Sequence, residues 1–135
     1  MAVDPGKKHI GVAISDPTET IATPLTVLKH ISRPLDAASI ANLAQQYQVG
    51  LIVMGRSLDE EGLPTPQSRL AERLAEAIQQ QCDLPVTMYD ESFSTQQARQ
   101  ARIDMGTSRR KRRGHLDDLA AAVILQSFLD MNINR

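Results

Sequence analysis

Three acidic residues stand where predicted strands end or a predicted helix begins. Asp4 closes a first apolar strand, Glu91 follows the last predicted strand, and Asp117 lies in the first turn of the last predicted helix. A direct parallel pairing of these two strands would bring Asp4 and Glu91 to one edge of a sheet, where ligands of such sheets bind. Carboxylate oxygens suit hard divalent ions such as Mg²⁺ or Mn²⁺, commonly with a substrate phosphate as a further ligand. One hypothesis is therefore a metal site that acts on phosphate esters.

The same acids have an ordinary structural interpretation, which their spacing alone favours. Acids in the first turn of a helix interact favourably with its dipole, and Asp4-Pro5-Gly6 and Asp90-Glu91 are typical turn sequences. On a helix that turns by ~100° per residue, Asp117 lies nearer than Asp118 to the apolar side that includes Ile124. Asp117 is therefore the better candidate for a residue facing the sheet.

The elements that would position these acids follow from turn signals and hydrophobic periodicity. Turn-forming pairs separate three short apolar segments, and helical patterns then alternate with two apolar runs. A capping-box pattern opens a further helix before the last one. The predicted strands are 1–4, 9–15, 21–28, 49–54 and 84–89, and the predicted helices are 34–47, a helix starting at Pro66, 94–106 and 116–128.

This order of elements predicts an α/β fold. Three strands form an antiparallel meander, and right-handed crossovers then place the later strands parallel to the first. The predicted result is a central mixed five-stranded sheet flanked by helices on both faces. With 135 residues the chain has the usual size of one domain, so residues 1–135 are predicted to form a single domain.

Composition excludes several classes of protein. Apolar residues make up 41% and charged residues 23%, which is typical of globular proteins and excludes a disordered or collagen-like chain. No run approaches the ~20 apolar residues of a membrane span, and the first residues lack the pattern of a signal peptide, so we expect a cytoplasmic protein without a membrane partner. The lone Cys82 has no partner for an internal disulfide and no neighbouring zinc ligand.

Charge is distributed unevenly along the chain. The net charge is -1, but residues 99–115 contain seven cations and one acid, which leaves the remainder strongly negative. A continuous run of cations within this segment is predicted to form an exposed loop that binds nucleic-acid phosphates; its alternative role is solubility. Because aromatic residues are only 3% of the chain, phosphate contacts are favoured over base stacking. The run consists of Arg109, Arg110, Lys111, Arg112 and Arg113.

Four segments of the sequence occur together in one known family. They are Val3–Ala13, Ile52–Gly55, Asp90–Thr95 and Leu116–Gln126. In this order and at these separations they resemble the YqgF/RuvX family of Holliday junction resolvases and pre-16S ribosomal RNA nucleases. Members of that family have the ribonuclease H-like fold, and the resemblance covers nearly the whole chain. Four motifs in order are far more specific than any one of them.

The resemblance implies a Mg²⁺- or Mn²⁺-dependent phosphodiesterase. Asp4, Glu91 and Asp117 match the acidic positions of the family, which implies that they are both catalytic residues and metal ligands. Asp4 would bridge two metals and the other two acids would complete the ligand set. One metal would then activate water while the other stabilises the leaving oxygen. Lys8 matches a basic residue of the family and would contact a phosphate.

The chain also departs from the family pattern. Ser92 stands where the family commonly has arginine, and Gly55-Arg56-Ser57-Leu58 replaces the usual Gly-Leu-Pro-Leu. Arg56 is therefore a candidate replacement for the missing phosphate-binding arginine. RuvC-type resolvases carry two acids about one turn apart on the helix, whereas this chain has Ala120 after Asp117. The second helix acid of those resolvases therefore has no counterpart one turn after Asp117.

These observations predict a hydrolase that cuts structured RNA or DNA, either at the 5′ end of precursor 16S rRNA or at Holliday junctions. The alternative is a non-catalytic nucleic-acid-binding or transcription-associated factor with the same fold. A third class, the phosphotransfer domains of actin and sugar kinases, shares the Asp-x-Gly turn but builds its cleft from two domains. A resolvase would need two sites in a homodimer, whereas an RNA-processing nuclease can act as a monomer.

Overall fold

The computed structural model describes the backbone of residues 1–91 and 109–133 and the side chains of residues 1–90 and 119–132. Five strands and three helices alternate much as the sequence predicts. The strands are β1 (Ala2–Pro5), β2 (His9–Ser15), β3 (Ala22–Lys29), β4 (Ile52–Ser57) and β5 (Val86–Glu91). The helices are α1 (Arg33–Gln46), α2 (Pro66–Gln81) and α3 (Arg109–Ile133).

The strands form one five-stranded mixed sheet in the order β3-β2-β1-β4-β5. β1 pairs antiparallel with β2 and parallel with β4, and β5 continues the parallel half beyond β4. The predicted meander with later parallel strands is therefore confirmed. Within the described part of the chain, none of the helices has the length and apolar character needed to span a membrane.

Residues of β1 alternate between the two faces of the sheet, and each face has its own core. Val3 packs with Ile10 and Met54 beneath α1 and α2. Ala2 packs with Val53 in a second cluster formed with α3. Because side chains in a strand alternate with a period of two, Asp4 belongs to the α3 face together with Ala2.

The buried faces of α1 and α2 differ from the predicted apolar stripes. Leu35 and Leu70, which the periodicity assigns to the core, are 55% and 39% exposed. Leu74 and Ile78 of the predicted α2 stripe are buried as expected, and small residues around Ser68, which is fully buried, form the rest of the core side of α2. The Ser68 hydroxyl donates to the carbonyl of Thr65 at 2.9 Å, so the buried polar atom is satisfied and a narrow residue can face the sheet.

The predicted basic loop before the last helix is wrong. Residues 109–113 already belong to α3, which begins at Arg109 rather than near Leu116. Arginine and lysine are good helix formers, and the single Gly114 costs only about 1 kcal/mol within a long helix. The cations are therefore placed on helical backbone. The helix predicted over 94–106 lies outside the described residues.

Helix α3 lies unusually close to the sheet at Gly55. A Cβ atom at this position would lie 2.6 Å from Cδ1 of Ile124, which is fully buried. Carbon atoms in contact are normally separated by about 3.5–4.0 Å. The absence of a side chain at Gly55 therefore allows α3 to contact β4 directly.

We predict that Gly55→Ala destabilises the protein by about 1 kcal/mol, because the new methyl group overpacks a close-packed contact. Ile124→Val removes the crowded Cδ1 atom and costs roughly 0.5–1.5 kcal/mol by itself. The double variant should lose less free energy of unfolding than the two single variants lose together. Urea unfolding of all four proteins measures this coupling, and strictly additive effects would contradict the contact.

Candidate functional site

Asp4 lies at the carboxyl end of the central strand. It is the third residue of β1, it pairs in register with Gly11 of β2, and it is half-buried. On its other side β1 pairs with β4, where Val3 is in register with Met54. Continuing this register places Asp4 beside Gly55 of β4. The predicted acid is thus at the edge of the sheet next to the close contact with α3.

Glu91 is the last residue of β5, so the strand extends two residues beyond its predicted end at Tyr89. It is paired in register with Ser57 of β4. The expected direct pairing of the Asp4 and Glu91 strands is wrong, because β4 lies between them. Two strand spacings separate β1 from β5 by about 10 Å. Both strands are parallel to β4, and their carboxyl ends still share one edge.

The direction of α3 brings its N-terminal part toward this edge. Near its C-terminal end, the Gln126 amide donates to the carbonyl of Thr20 and accepts from the backbone N–H of Ala22, both at 2.9 Å. These residues lie at the start of β3, at the opposite edge of the sheet from Asp4. Since Ile124 contacts Gly55, α3 runs from the Asp4 edge toward the start of β3.

Asp117 is part of the N-terminal half of α3. It precedes Ile124 by seven residues, which is close to two turns, so the two positions share one side of the helix. The fold therefore brings the backbone positions of Asp4, Glu91 and Asp117 toward one edge of the sheet. The side chains of Glu91 and Asp117 lie outside the described part of the chain.

Gln67 connects the two strands at this edge and was missed by the sequence analysis. Its amide Nε2 donates to the carbonyl of Pro5 at 3.1 Å, and its Oε1 accepts from the N–H of Ser57 at 3.0 Å. The β1–β4 register ends at Val3 and Met54, so the amide spans the strands beyond their paired residues. The amide thus links Pro5, which follows Asp4, to Ser57, which is paired with Glu91. No sequence motif signals this role.

Arg56 is held on the opposite face of the sheet from Asp4. Its Nε donates to the carboxylate of Asp90, and its NH1 donates to Glu72 of α2 at 2.8 Å. The hydrogen bond and charge of Asp90 raise the pKa of Arg56 above its usual value, ahead of the similar effect of Glu72. The fold does not bring this predicted phosphate-binding residue together with Asp4.

The turn between β1 and β2 presents Lys7 and Lys8, both exposed, directly after Asp4 and Pro5. This turn requires Gly6, because a Cβ atom there would lie 2.6 Å from the carbonyl oxygen of His9. Lys8, which the sequence analysis selected as a phosphate ligand, is therefore close in the chain to Asp4 and accessible to a large polyanion.

Among the described side chains, no three His, Cys, Asp or Glu residues cluster closely enough to hold a metal ion. The expected ligand set does not lie wholly within that part of the chain, because it includes Glu91 and Asp117. Asp4 supplies the kind of oxygen donor that Mg²⁺ and Mn²⁺ prefer, at a sheet edge where two further carboxylates are on neighbouring backbone.

The sheet order and the helices on its two faces define a ribonuclease H-like fold of the type used by junction resolvases. RuvC of Thermus thermophilus in complex with a Holliday junction substrate is similar, with a TM-score of 0.59 and 17% identity over 96% of this chain and 93% of that chain. The fowlpox virus resolvase in complex with Holliday junction DNA has a TM-score of 0.54 and 14% identity, over 97% of this chain and 96% of that chain. At these identities the likeness establishes the fold.

Sequence similarity is more specific than the fold. A profile of RuvX, described as Holliday junction resolvase, matches residues 1–131, and the chain belongs to this family. A protein of Roseiflexus sp. strain RS-1 is 37% identical over 96% of this chain and 92% of its own length. A protein of Thermoanaerobacter pseudethanolicus is 37% identical over 100% and 98%. Both carry the name "Putative pre-16S rRNA nuclease". The resemblance identified from four motifs is confirmed.

We predict that Gln67→Ala lowers the free energy of unfolding by about 1–3 kcal/mol, because it leaves a carbonyl and an N–H without their partner. Gln67→Glu keeps the acceptor for Ser57 but sets a carboxylate oxygen against the carbonyl of Pro5, so it should also destabilise the protein in an unfolding experiment. Gln80→Ala, an exposed glutamine on the same helix, is the matched control. Equal effects of Gln67→Ala and Gln80→Ala would show that the bridge contributes nothing.

Proposed function

We propose that this protein is a cytoplasmic, divalent-metal-dependent endonuclease that hydrolyses phosphodiester bonds of structured nucleic acid. The observation that carries the proposal is the convergence of the Asp4, Glu91 and Asp117 backbone positions on one sheet edge of a RuvX-family fold. Precursor 16S rRNA and Holliday junctions are the two substrates suggested by the names of its relatives and structural neighbours.

The three acids would hold Mg²⁺ or Mn²⁺ through carboxylate oxygens. When bound, such ions activate a water molecule and stabilise the negative charge on the leaving oxygen. The residues of this chain must hold the acids at a fixed spacing, because a small displacement of reacting groups greatly reduces the rate. The amide of Gln67 and the contact between Gly55 and Ile124 supply this positioning from two sides.

Cations at the start of α3 support the binding of a polyanion. Positive charges near a helix N-terminus interact unfavourably with its dipole, typically by about 0.3–1 kcal/mol each. Residues 109–113 therefore do not stabilise the helix by their charge, whereas a bound phosphate would neutralise them. We propose that they bind the substrate backbone together with Lys8.

Arg56 is not retained in the proposed phosphate-binding set. Two carboxylates already neutralise it, and it lies on the face away from Asp4. Its ion pairs connect β4 and β5 to α2, which suits a positioning role for the strand that ends at Glu91. A phosphate would have to compete with both Asp90 and Glu72 for the guanidinium.

The proposal predicts that Asp4→Asn, Glu91→Gln and Asp117→Asn each reduce cleavage by about 100-fold or more, the scale on which loss of one charged group at the reacting centre acts. Labelled precursor 16S rRNA and a four-way DNA junction are incubated with Mg²⁺ or Mn²⁺, and product is followed by gel electrophoresis. The substrate that is cut identifies the substrate class.

Asp118→Asn is the matched control, since it removes the same charge from the neighbouring helix position. It should retain most of the activity. Tight binding without cleavage in either metal would instead indicate a non-catalytic nucleic-acid-binding factor. Sedimentation of the same samples tests the quaternary structure: symmetrical junction cleavage requires a homodimer, and rRNA processing is compatible with a monomer.

A further inference from the structure

A cleft of about 400 Å³ opens at the same sheet edge as Asp4, but on the face covered by α1 and α2. The β1–β2 turn forms one wall, the end of β3 and the start of α1 form another, and α2 closes the third side. Gly6 in this turn is two residues from Asp4, which is at most about 7 Å along an extended backbone. The cleft therefore adjoins the proposed site around the edge of the sheet.

The floor of the cleft is apolar. It includes Ile10 of β2 and Leu70 and Leu74 of α2. Leu70 is 39% exposed although it is a large apolar residue of α2. The volume and the mostly apolar lining are typical of a site for a small planar group, and too small for a double helix.

The rim of the cleft is cationic. Its two cations are Lys7 and Arg33, and the imidazole of His30 lies between the strand end and α1; all three side chains are exposed. Asp36 is the acidic member of the described lining, but it is 5% exposed. Its carboxylate lies 2.5 Å from Nδ1 of His30 and accepts from the N–H of Ile31 at 3.0 Å. The carboxylate of Asp36 is therefore bonded within the protein, and the charge that the rim presents to solvent is positive.

A second cleft at the opposite edge of the sheet has the reverse character. It is larger, about 810 Å³, and its lining includes Asp16 and Glu19. A phosphate would be repelled by these acids. Charge therefore distinguishes the cleft next to Asp4 as the one suited to a nucleotide.

We propose that the cleft next to Asp4 binds one unpaired nucleotide of the substrate. The base lies against Ile10, Leu70 and Leu74, and the adjoining phosphate is neutralised by Lys7 and Arg33. An unpaired base can turn out of its strand into such a pocket, whereas a paired base must first lose its pairing and stacking. This inference rests on the proposed function, and it specifies a substrate in which a single strand adjoins the structured region.

The proposal is tested by binding with Asp4→Asn protein, so that the substrate stays intact. Fluorescein-labelled RNA hairpins with a 5′ tail, a 3′ tail or no tail are compared by anisotropy. We expect one tailed hairpin to bind about tenfold more tightly than the blunt one, the scale of one sequestered base. Leu70→Trp, which fills the cleft, and Arg33→Ala, which removes a rim cation, should each abolish most of this preference.

Arg73→Ala is the control, because it removes an exposed arginine of α2 that is not part of the lining. It should leave the preference for the tail unchanged, and thermal unfolding verifies that every variant is folded. The inference would be overturned if the preference for the tail survives both cleft variants. It would also be overturned if those variants weaken the binding of tailed and blunt hairpins equally.

Cleavage by the protein with Asp4 intact separates the two proposals. If it cuts nucleic acid while the cleft variants leave the tail preference unchanged, the nucleotide pocket fails and the proposed function stands. If it neither binds nor cuts any of the nucleic acids, both fail.

Discussion

The four-residue strand β1 is the constraint on which the rest of the structure depends. It is bonded to an antiparallel neighbour on one side and a parallel neighbour on the other, and Ala2 and Val3 are completely buried on opposite faces. With so few residues, its register leaves no freedom in where Asp4 is placed. The small side chain of Ala2 also leaves room for α3 on one face, while Val3 fills the space beneath α1 and α2. One short strand therefore determines both layers and the position of the acid.

The two faces of the sheet contribute differently to the edge where β1 ends. On the α3 face, Gly55 and Ile124 bring the helix that carries Asp117 against the strand beside Asp4. On the other face, α2 supplies Gln67, which joins Pro5 to Ser57, and Glu72, which holds Arg56. The proposed acids therefore lie toward the α3 face, and the other face supplies the bridge of Gln67, the ion pairs of Arg56 and the adjoining cleft.

The order of elements along the chain, the mixed sheet and the family were predictable because they depend on turn residues, periodicity and motifs spread along the chain. The separation of β1 from β5 by β4 was not, because strand order in space is fixed by crossovers rather than by local pattern. Leu70 was misassigned because the small Ser68 shares the buried side of α2 with Leu74 and Ile78, and a count of apolar residues overlooks a serine. Gln67 could not be predicted, since a glutamine signals no bridging role until two backbones are brought to either side of it.

Helix α3 also fixes a spacing. Its contact with Gly55 through Ile124 and its bonds from Gln126 to the start of β3 prevent it from sliding along the sheet. At 1.5 Å per residue, Arg113 stands about 6 Å and Arg109 about 12 Å along the helix axis from Asp117. If these cations hold the substrate backbone as proposed, the length of helix between them and Asp117 would set the distance from the held phosphates to the acids. That distance would determine which bond of the strand is cut.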